Sequence, residues 1–147
     1  MSKPVPFQAT LEVRDSCLCL HVQRAARLLA RRFDEALRPF GFTNQQFSLL
    51  MALNRPEPPP LAPVAELLGI DRTTLTAALK PLVRDGLVRP LPNPRDARSR
   101  LLQLTSRGEK KLAGALPAWR RTHGAIDRQL GGVTPQQLRK SLAPLKD

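Results

Sequence analysis

The sequence contains no tyrosine, and its aromatic content is only 4%. This scarcity argues against single-stranded DNA or RNA binding, because such proteins stack bases on aromatic side chains. Two cysteines are too few for the disulfide framework of a small secreted protein. No apolar run approaches the roughly 18 residues of a membrane span, and the N-terminus lacks the apolar core of a signal peptide. We therefore expect a cytoplasmic protein with no membrane partner.

Acidic residues are outnumbered two to one, with 24 Lys and Arg against 12 Asp and Glu and a formal net charge of +12. This excess predicts an anionic partner: nucleic acid, an anionic membrane surface or an acidic protein. Ten of the basic residues fall between Arg72 and Lys111 and do not line one face of a long helix with aromatic anchors. That distribution disfavours a membrane-surface protein. The length of 147 residues suits one domain with one core.

The first half of the chain is predicted to be helical after a flexible leader over residues 1–14. From Asp15 onward, apolar residues recur at three- and four-residue steps, which indicates a long helix that Pro39 and Gly41 end. The next helix opens on a capping box, Thr43-Asn44-Gln45-Gln46.

Two short helices joined by a tight turn follow a proline-rich connector. Ala65 is small enough for the helices to approach, Gly69 supplies a left-handed turn, and Leu75 points back into the core. Asp71 can cap the second helix, which Pro81 should bend or end near Ala77. The outer face of this helix offers short hydroxyls and a cation that fit a major groove, or else it is only a solvated surface.

After Gly86 the spacing of apolar residues changes from the helical to the strand-like period. This change predicts a β-hairpin, with strands at 87–91 and 100–104. Arg95, Arg98 and Arg100 crowd its tip, where arginine is suited to a narrow, A·T-rich minor groove. Asp96 would be a poor DNA contact, so we assign it to bracing Arg98. The alternative is an ordinary charged turn.

The C-terminal part is predicted to form two more helices. Thr105 can cap the first, which is expected to kink near Pro117. The second opens on Thr134-Pro135-Gln136-Gln137, with proline at the first helical position and a capping-box glutamine.

Three stretches together resemble the MarR family of bacterial transcriptional regulators. They are FTNQQFSLLMAL at 42–53, AELLGIDRTTLTAALKPLVRDGLV at 65–88, and NPRDARSRLLQLTSRG at 93–108. The resemblance runs from Asp15 onward and implies a mainly α fold with a β-hairpin wing, that is, a winged helix-turn-helix with N- and C-terminal dimerisation helices.

The resemblance also implies how the molecule works. Residues 15–147 would form one domain, with dimerisation helices at 15–40 and 106–147 and a DNA-binding region at 43–105. An obligate homodimer would bind a pseudo-palindromic operator in double-stranded DNA, repress transcription, and be released by a small ligand or an oxidant. The resemblance places Arg98 at the wing tip and five residues on the recognition helix: Arg72, Thr73, Thr74, Thr76 and Lys80. Together with the other two arginines of the hairpin tip, Arg95 and Arg100, these are the candidate DNA-binding residues.

Cys17 and Cys19 are candidate redox-sensor residues near the start of the first helix. The helix N-terminus favours a thiolate at Cys17, whereas Asp15 disfavours it. Residues two apart on a helix do not face each other, so an internal disulfide is not expected. The favoured interpretation is packing of two small side chains at a dimer interface. Cys17 and His21 alone are not a zinc site, which typically takes four ligands.

Two other functional classes compete with a transcriptional regulator. A constitutive architectural DNA-binding protein without an effector is the main alternative, but a minimal binder would not need the long flanking helices. An enzyme is disfavoured, because the sequence shows no phosphate-binding glycine loop, no adequate metal cluster and no nucleophile–base arrangement. No cofactor or metal is expected.

Overall fold

The computed structural model describes residues 3–146. Residues 1 and 2, which begin the predicted leader, and residue 147, which ends the predicted dimerisation segment 106–147, lie outside the described residues. The described chain folds into helices around one two-stranded antiparallel hairpin. The helices are α1 (Phe7–Ser16), α2 (Leu18–Leu37), a 3₁₀ turn (Arg38–Phe40), α3 (Asn44–Leu53), α4 (Leu61–Leu68), α5 (Arg72–Arg84), α6 (Ser106–Gln129) and α7 (Pro135–Leu142), and the strands are β1 (Val88–Pro92) and β2 (Arg100–Leu104).

The N-terminal segment differs from its prediction. Most of the expected flexible leader is α1, which has no side-chain cap and buries no residue. The apolar residues of α1 fall mainly at alternate positions and not at three- and four-residue steps. The sequence therefore carries no signal for a helix there. The expected continuous helix from Asp15 is interrupted at Cys17, whose extended backbone (φ −72°, ψ 106°) ends α1 and opens α2.

The caps that the sequence predicts at Thr43, Thr105 and Thr134 are present. Thr43 with Gln46, and Thr134 with Gln137, form complete capping boxes. The Thr105 hydroxyl accepts from the backbone N–H of Gly108 and so caps α6.

Neither internal proline ends its helix. α5 runs unbroken past Pro81 from Arg72 to Arg84, so it does not end near Ala77, one of the two outcomes expected of Pro81. α6 likewise runs through Pro117.

One apolar core lies between α3, α4, α5 and the hairpin. Leu50, Val64 and Leu75 are fully buried there. α2 and α6 join the same core through Leu37 and Ala115, which are also fully buried. The flanking helices therefore share one core with the helix-turn-helix, which they reach chiefly through α3.

The hairpin is one residue out of step with its predicted first strand. Its register runs from Val88 opposite Leu104 to Pro92 opposite Arg100. On the other side of β2, the Leu102 N–H donates to the Pro59 carbonyl at 2.8 Å. β1 is thus an edge strand, the place in a sheet where prolines are tolerated.

No helix within residues 3–146 combines the length and the apolar character needed to cross a membrane.

Candidate nucleic-acid interface

The turn between α4 and α5 has the geometry that the sequence predicts. Gly69 has φ 66°, and its N–H bonds back to the last turn of α4. Ala65 is buried where the two helices meet, and Leu75 is fully buried beneath α5. The second helix is therefore fixed with its opposite face outward.

Asp71 caps α5 through Thr74. Its carboxylate accepts from the Thr74 backbone N–H at 2.7 Å and from the Thr74 hydroxyl at 3.0 Å. These bonds, the backbone one first, hold the pKa of Asp71 below its ordinary value. The carboxylate stays ionised and complements the positive end of the helix.

The outward face of α5 is exposed, and its hydroxyls are unequally engaged. Thr74 donates to Asp71, and the Thr76 hydroxyl donates to the Arg72 carbonyl at 2.8 Å. Thr73 makes no side-chain hydrogen bond within residues 3–146. Thr74 and Thr76 thus present methyl groups and acceptor lone pairs to a DNA groove, whereas the hydroxyl of Thr73 is also free to donate. The predicted α5 residues Arg72, Thr73, Thr74, Thr76 and Lys80 are all exposed.

A groove of about 790 Å³ separates α5 from the hairpin. Leu79, Pro90 and Leu102 contribute apolar surface to it. Five cations and one carboxylate, Asp96, also line it, so its charge is strongly positive. The cations are Arg72, Lys80, Arg84, Arg98 and Arg100.

Two of these placements differ from the predicted site. Arg84 joins the groove although sequence reasoning did not select it. Its position four residues after Lys80 on one helix was the available signal. Arg95, which the sequence analysis included, is exposed at the hairpin tip but does not line the groove.

The tip of the hairpin is held by short-range hydrogen bonds. The Asp96 carboxylate accepts from the backbone N–H of Arg98 at 2.9 Å. Asn93 accepts from the backbone N–H of Arg95 at 3.0 Å and donates to Ser99 at 2.9 Å. Asp96 therefore contacts the main chain of Arg98. Across residues 3–146, no carboxylate lies within 4.0 Å of the Arg98 guanidinium.

Both cysteines are free thiols at the break between α1 and α2. The half-buried Cys17 caps α2, its Sγ accepting from the Leu20 N–H at 3.4 Å. The exposed Cys19 accepts from Gln23 at 3.4 Å. Because Cys17 is the non-helical cap, the expectation that both cysteines sit on one helix is wrong. Among the described residues, no three His, Cys, Asp or Glu side chains are grouped so as to hold a metal.

Comparison with known proteins identifies the family of this fold. The MarR family model matches residues 42–99, which run from just before α3 to the end of the hairpin tip. The transcriptional regulator MosR of M. tuberculosis, solved in complex with DNA, is 37% identical. The alignment covers 88% of this chain and 93% of that one, with a TM-score of 0.79. The chain belongs to the MarR family.

The family is one of DNA-binding transcriptional regulators. The hairpin and the α4–α5 pair of this chain form the winged helix of that family's fold. Two further relatives agree. The uncharacterized HTH-type regulator YwoH of Bacillus subtilis is 32% identical over 61% of this chain and 65% of its own length. The transcriptional activatory protein BadR of Rhodopseudomonas palustris is 33% identical over 62% of this chain and 54% of its own length. The chain thus spans less than two thirds of either relative.

Proposed function

We propose that this MarR-family chain acts in the cytoplasm as a dimeric regulator that binds a pseudo-palindromic operator in double-stranded DNA. The groove between α5 and the hairpin is the observation that carries the proposal. α5 presents small side chains that fit a major groove, while Arg98 at the hairpin tip is free to enter the adjacent minor groove. The five cations that line the groove supply the phosphate contacts on which affinity depends.

The flanking helices support a homodimer. α1 and α7 bury no residue in this chain, yet both carry large apolar side chains at the surface. In α1, Phe7 is 73% exposed and Val13 is 56% exposed, and in α7 Leu142 is 38% exposed. An exposed apolar surface of this kind marks an interaction site. We propose that residues 15–40 and 106–147 form the dimer interface and that α1 contributes to it.

The dimer would present two copies of the DNA-binding region at 43–105. Each α5 would occupy one of two successive major grooves, so the half-site centres should lie one helical turn apart, about 10 base pairs. A dimer that spans two grooves over a promoter would block transcription, and we therefore propose repression. BadR shows that a relative can instead activate.

Release by a small ligand or an oxidant is part of this proposal. α2 and α6 belong to the same core as α4 and α5, so a change in their packing would alter the angle between the two DNA-binding regions. For an oxidant, the break at Cys17 is the relevant observation. A hydroperoxide would transfer one oxygen atom to the Cys17 thiol, giving a sulfenic acid and releasing water or an alcohol. The oxidised sulfur would no longer accept from the Leu20 N–H as the thiol does, and the cap of α2 would weaken.

Selection of bound sequences from random DNA tests the main proposal. We expect a two-fold symmetric site with half-sites about 10 base pairs apart, bound by two chains. Thr73→Ala and Lys80→Ala should change the selected bases or weaken binding, whereas Arg120→Ala on α6 should change neither. Selected sites without symmetry would contradict the proposal. If neither Thr73→Ala nor Lys80→Ala alters the selected sequences or the affinity, α5 does not contact the bases of the site.

A reporter gene placed behind the selected site separates the proposed regulator from a constitutive architectural protein. The regulator should lower expression and lose that effect with an effector or a hydroperoxide. Binding without any change in expression, under every compound tried, would favour the architectural alternative.

A further inference from the structure

The protons of two hydroxyl groups on the outward face of α5 are already engaged within the chain. The Thr74 hydroxyl lies 3.0 Å from a carboxylate oxygen of Asp71, and the Thr76 hydroxyl lies 2.8 Å from the Arg72 carbonyl oxygen. An ionised carboxylate and a carbonyl can only accept hydrogen bonds, so each hydroxyl must be the donor. Toward a ligand, the two hydroxyl oxygens therefore retain only their lone pairs.

The bond from Thr74 is harder to exchange than the bond from Thr76. Its acceptor carries a full charge, and a hydrogen bond to a charged group is roughly twice as strong as a neutral one. The same carboxylate is also fixed in place, because its other oxygen caps α5 by accepting from the Thr74 backbone N–H at 2.7 Å. We therefore expect Thr74 to keep its proton on Asp71 when a DNA duplex approaches.

The DNA bases differ in what they offer to a hydroxyl that can only accept. In the major groove, adenine and cytosine present an amino donor, whereas guanine presents two acceptors and thymine presents an acceptor and a methyl group. A threonine oxygen that faces guanine would lose its water and gain no partner, which costs free energy. Thr74 is the third residue of α5, and the N-terminal residues of a recognition helix are those that contact base edges.

We propose that Asp71 is a positioning residue for base recognition. By holding the Thr74 proton, it makes the operator position that faces Thr74 accept adenine or cytosine and reject guanine. This inference rests on the proposed function, since it requires that α5 lies in a major groove. Asp71 acts through Thr74 and does not itself need to touch the DNA.

Asp71→Asn reverses this hydrogen bond while keeping the shape of the side chain. The Thr74 backbone N–H requires an oxygen at the capping position, so the new amide nitrogen must face the Thr74 hydroxyl and donate to it. The hydroxyl proton is then released toward the DNA, where guanine can accept it. Asparagine caps a helix as well as aspartate does, so α5 should remain folded.

Selection of bound sequences from random DNA, with the full chain and with each variant, tests the inference. In the wild type we expect one position in each half-site at which guanine is depleted roughly three- to tenfold against adenine and cytosine. Thr74→Val keeps the shape and lacks the hydroxyl, so it should remove the preference at that position alone. Asp71→Asn should enrich guanine there by a similar factor. Asp85→Asn removes the same charge just beyond the other end of α5 and should leave every base preference unchanged.

The outcomes separate this inference from the proposed function. A wild type that selects no specific duplex would overturn both. A symmetric site with the same base preferences in the wild type and in Asp71→Asn would support the proposed function and overturn the role of Asp71. That role is also overturned if Asp85→Asn shifts the preferences as Asp71→Asn does, because loss of charge would then be the cause. Selection of guanine by the wild type at the position that depends on Thr74 would overturn it too.

Discussion

The Oδ1 atom of Asp34 accepts hydrogen bonds from both the backbone N–H and the side-chain Nδ2 of Asn44, at 2.7 and 2.8 Å. The pair joins the last turn of α2 to the first residue of α3. It therefore connects a proposed dimerisation helix to the DNA-binding region. The two bonds from Asn44, the backbone one first, hold the pKa of Asp34 below its ordinary value.

Asp34→Ala should lower the free energy of unfolding by about 1–2 kcal/mol at neutral pH, because two hydrogen bonds to a half-buried charge are lost. Since the folded pKa is depressed, the stabilisation is fully present above the unfolded pKa of about 3.9 and fades as pH falls through the folded value. Urea unfolding between about pH 7 and pH 3 measures this. Asp85→Asn, at an exposed pair with Arg84, is the control and should change stability little. A deficit in Asp34→Ala that did not shrink in acid would contradict the assignment.

Gly108 and Gly114 give a matched pair on α6. A Cβ on Gly108 would lie 2.4 Å from the Leu87 carbonyl oxygen and 2.7 Å from the Leu104 side chain. Gly108→Ala should therefore destabilise the protein by roughly 1–3 kcal/mol or more, since the backbone of the hairpin must move. A Cβ on Gly114 meets nothing within 4 Å, so Gly114→Ala should stabilise α6 by about 0.5–1 kcal/mol. Chemical denaturation of both variants checks the two signs, and equal effects would refute the predicted contact.

Arg98→Ala should weaken DNA binding while leaving the proposed dimer folded, because its guanidinium has no carboxylate partner among the described residues. If the contact is to a phosphate, the salt dependence of log K should become shallower by about one unit. Binding measured at several salt concentrations tests this, with Arg120→Ala as the control. Unchanged affinity and slope would show that the hairpin tip does not touch DNA.

Cys17→Ser should keep the α2 cap, since serine is a good capping residue, and should abolish any release of DNA by a mild hydroperoxide. Cys19→Ser should do the same if the oxidised form is a disulfide. DNA binding before and after oxidation, followed by reduction with dithiothreitol, is the measurement. If peroxide releases neither the wild type nor the variants, the two thiols serve packing alone.

The sequence was most informative where a local interaction decides the conformation. A side-chain oxygen followed three residues later by a free backbone N–H is a complete motif in itself, which is why the caps at Thr43, Asp71, Thr105 and Thr134 were predicted correctly. The positive φ of Gly69 has the same local origin.

Other features depend on contacts that the sequence pattern does not display. The break at Cys17 contains neither glycine nor proline, and the apolar period on either side of it suggests no interruption. The groove position of Arg84 depends on how the hairpin packs against α5. Asp34 and Asn44, ten residues apart, meet only because the chain reverses at Gly41.

The hydrogen bond between Leu102 and Pro59, with the bridge between Leu101 and Pro60, joins the hairpin to the start of α4. We therefore expect the hairpin tip and α5 to contact DNA at a fixed spacing. Inserting one base pair between the minor-groove and major-groove contacts of a half-site should therefore abolish binding, because the duplex rotates by about a tenth of a turn and no joint within the subunit absorbs it. An insertion between the half-sites would act on the dimer instead. We therefore expect the proposed dimer to tolerate changes in the spacing between half-sites better than changes within a half-site.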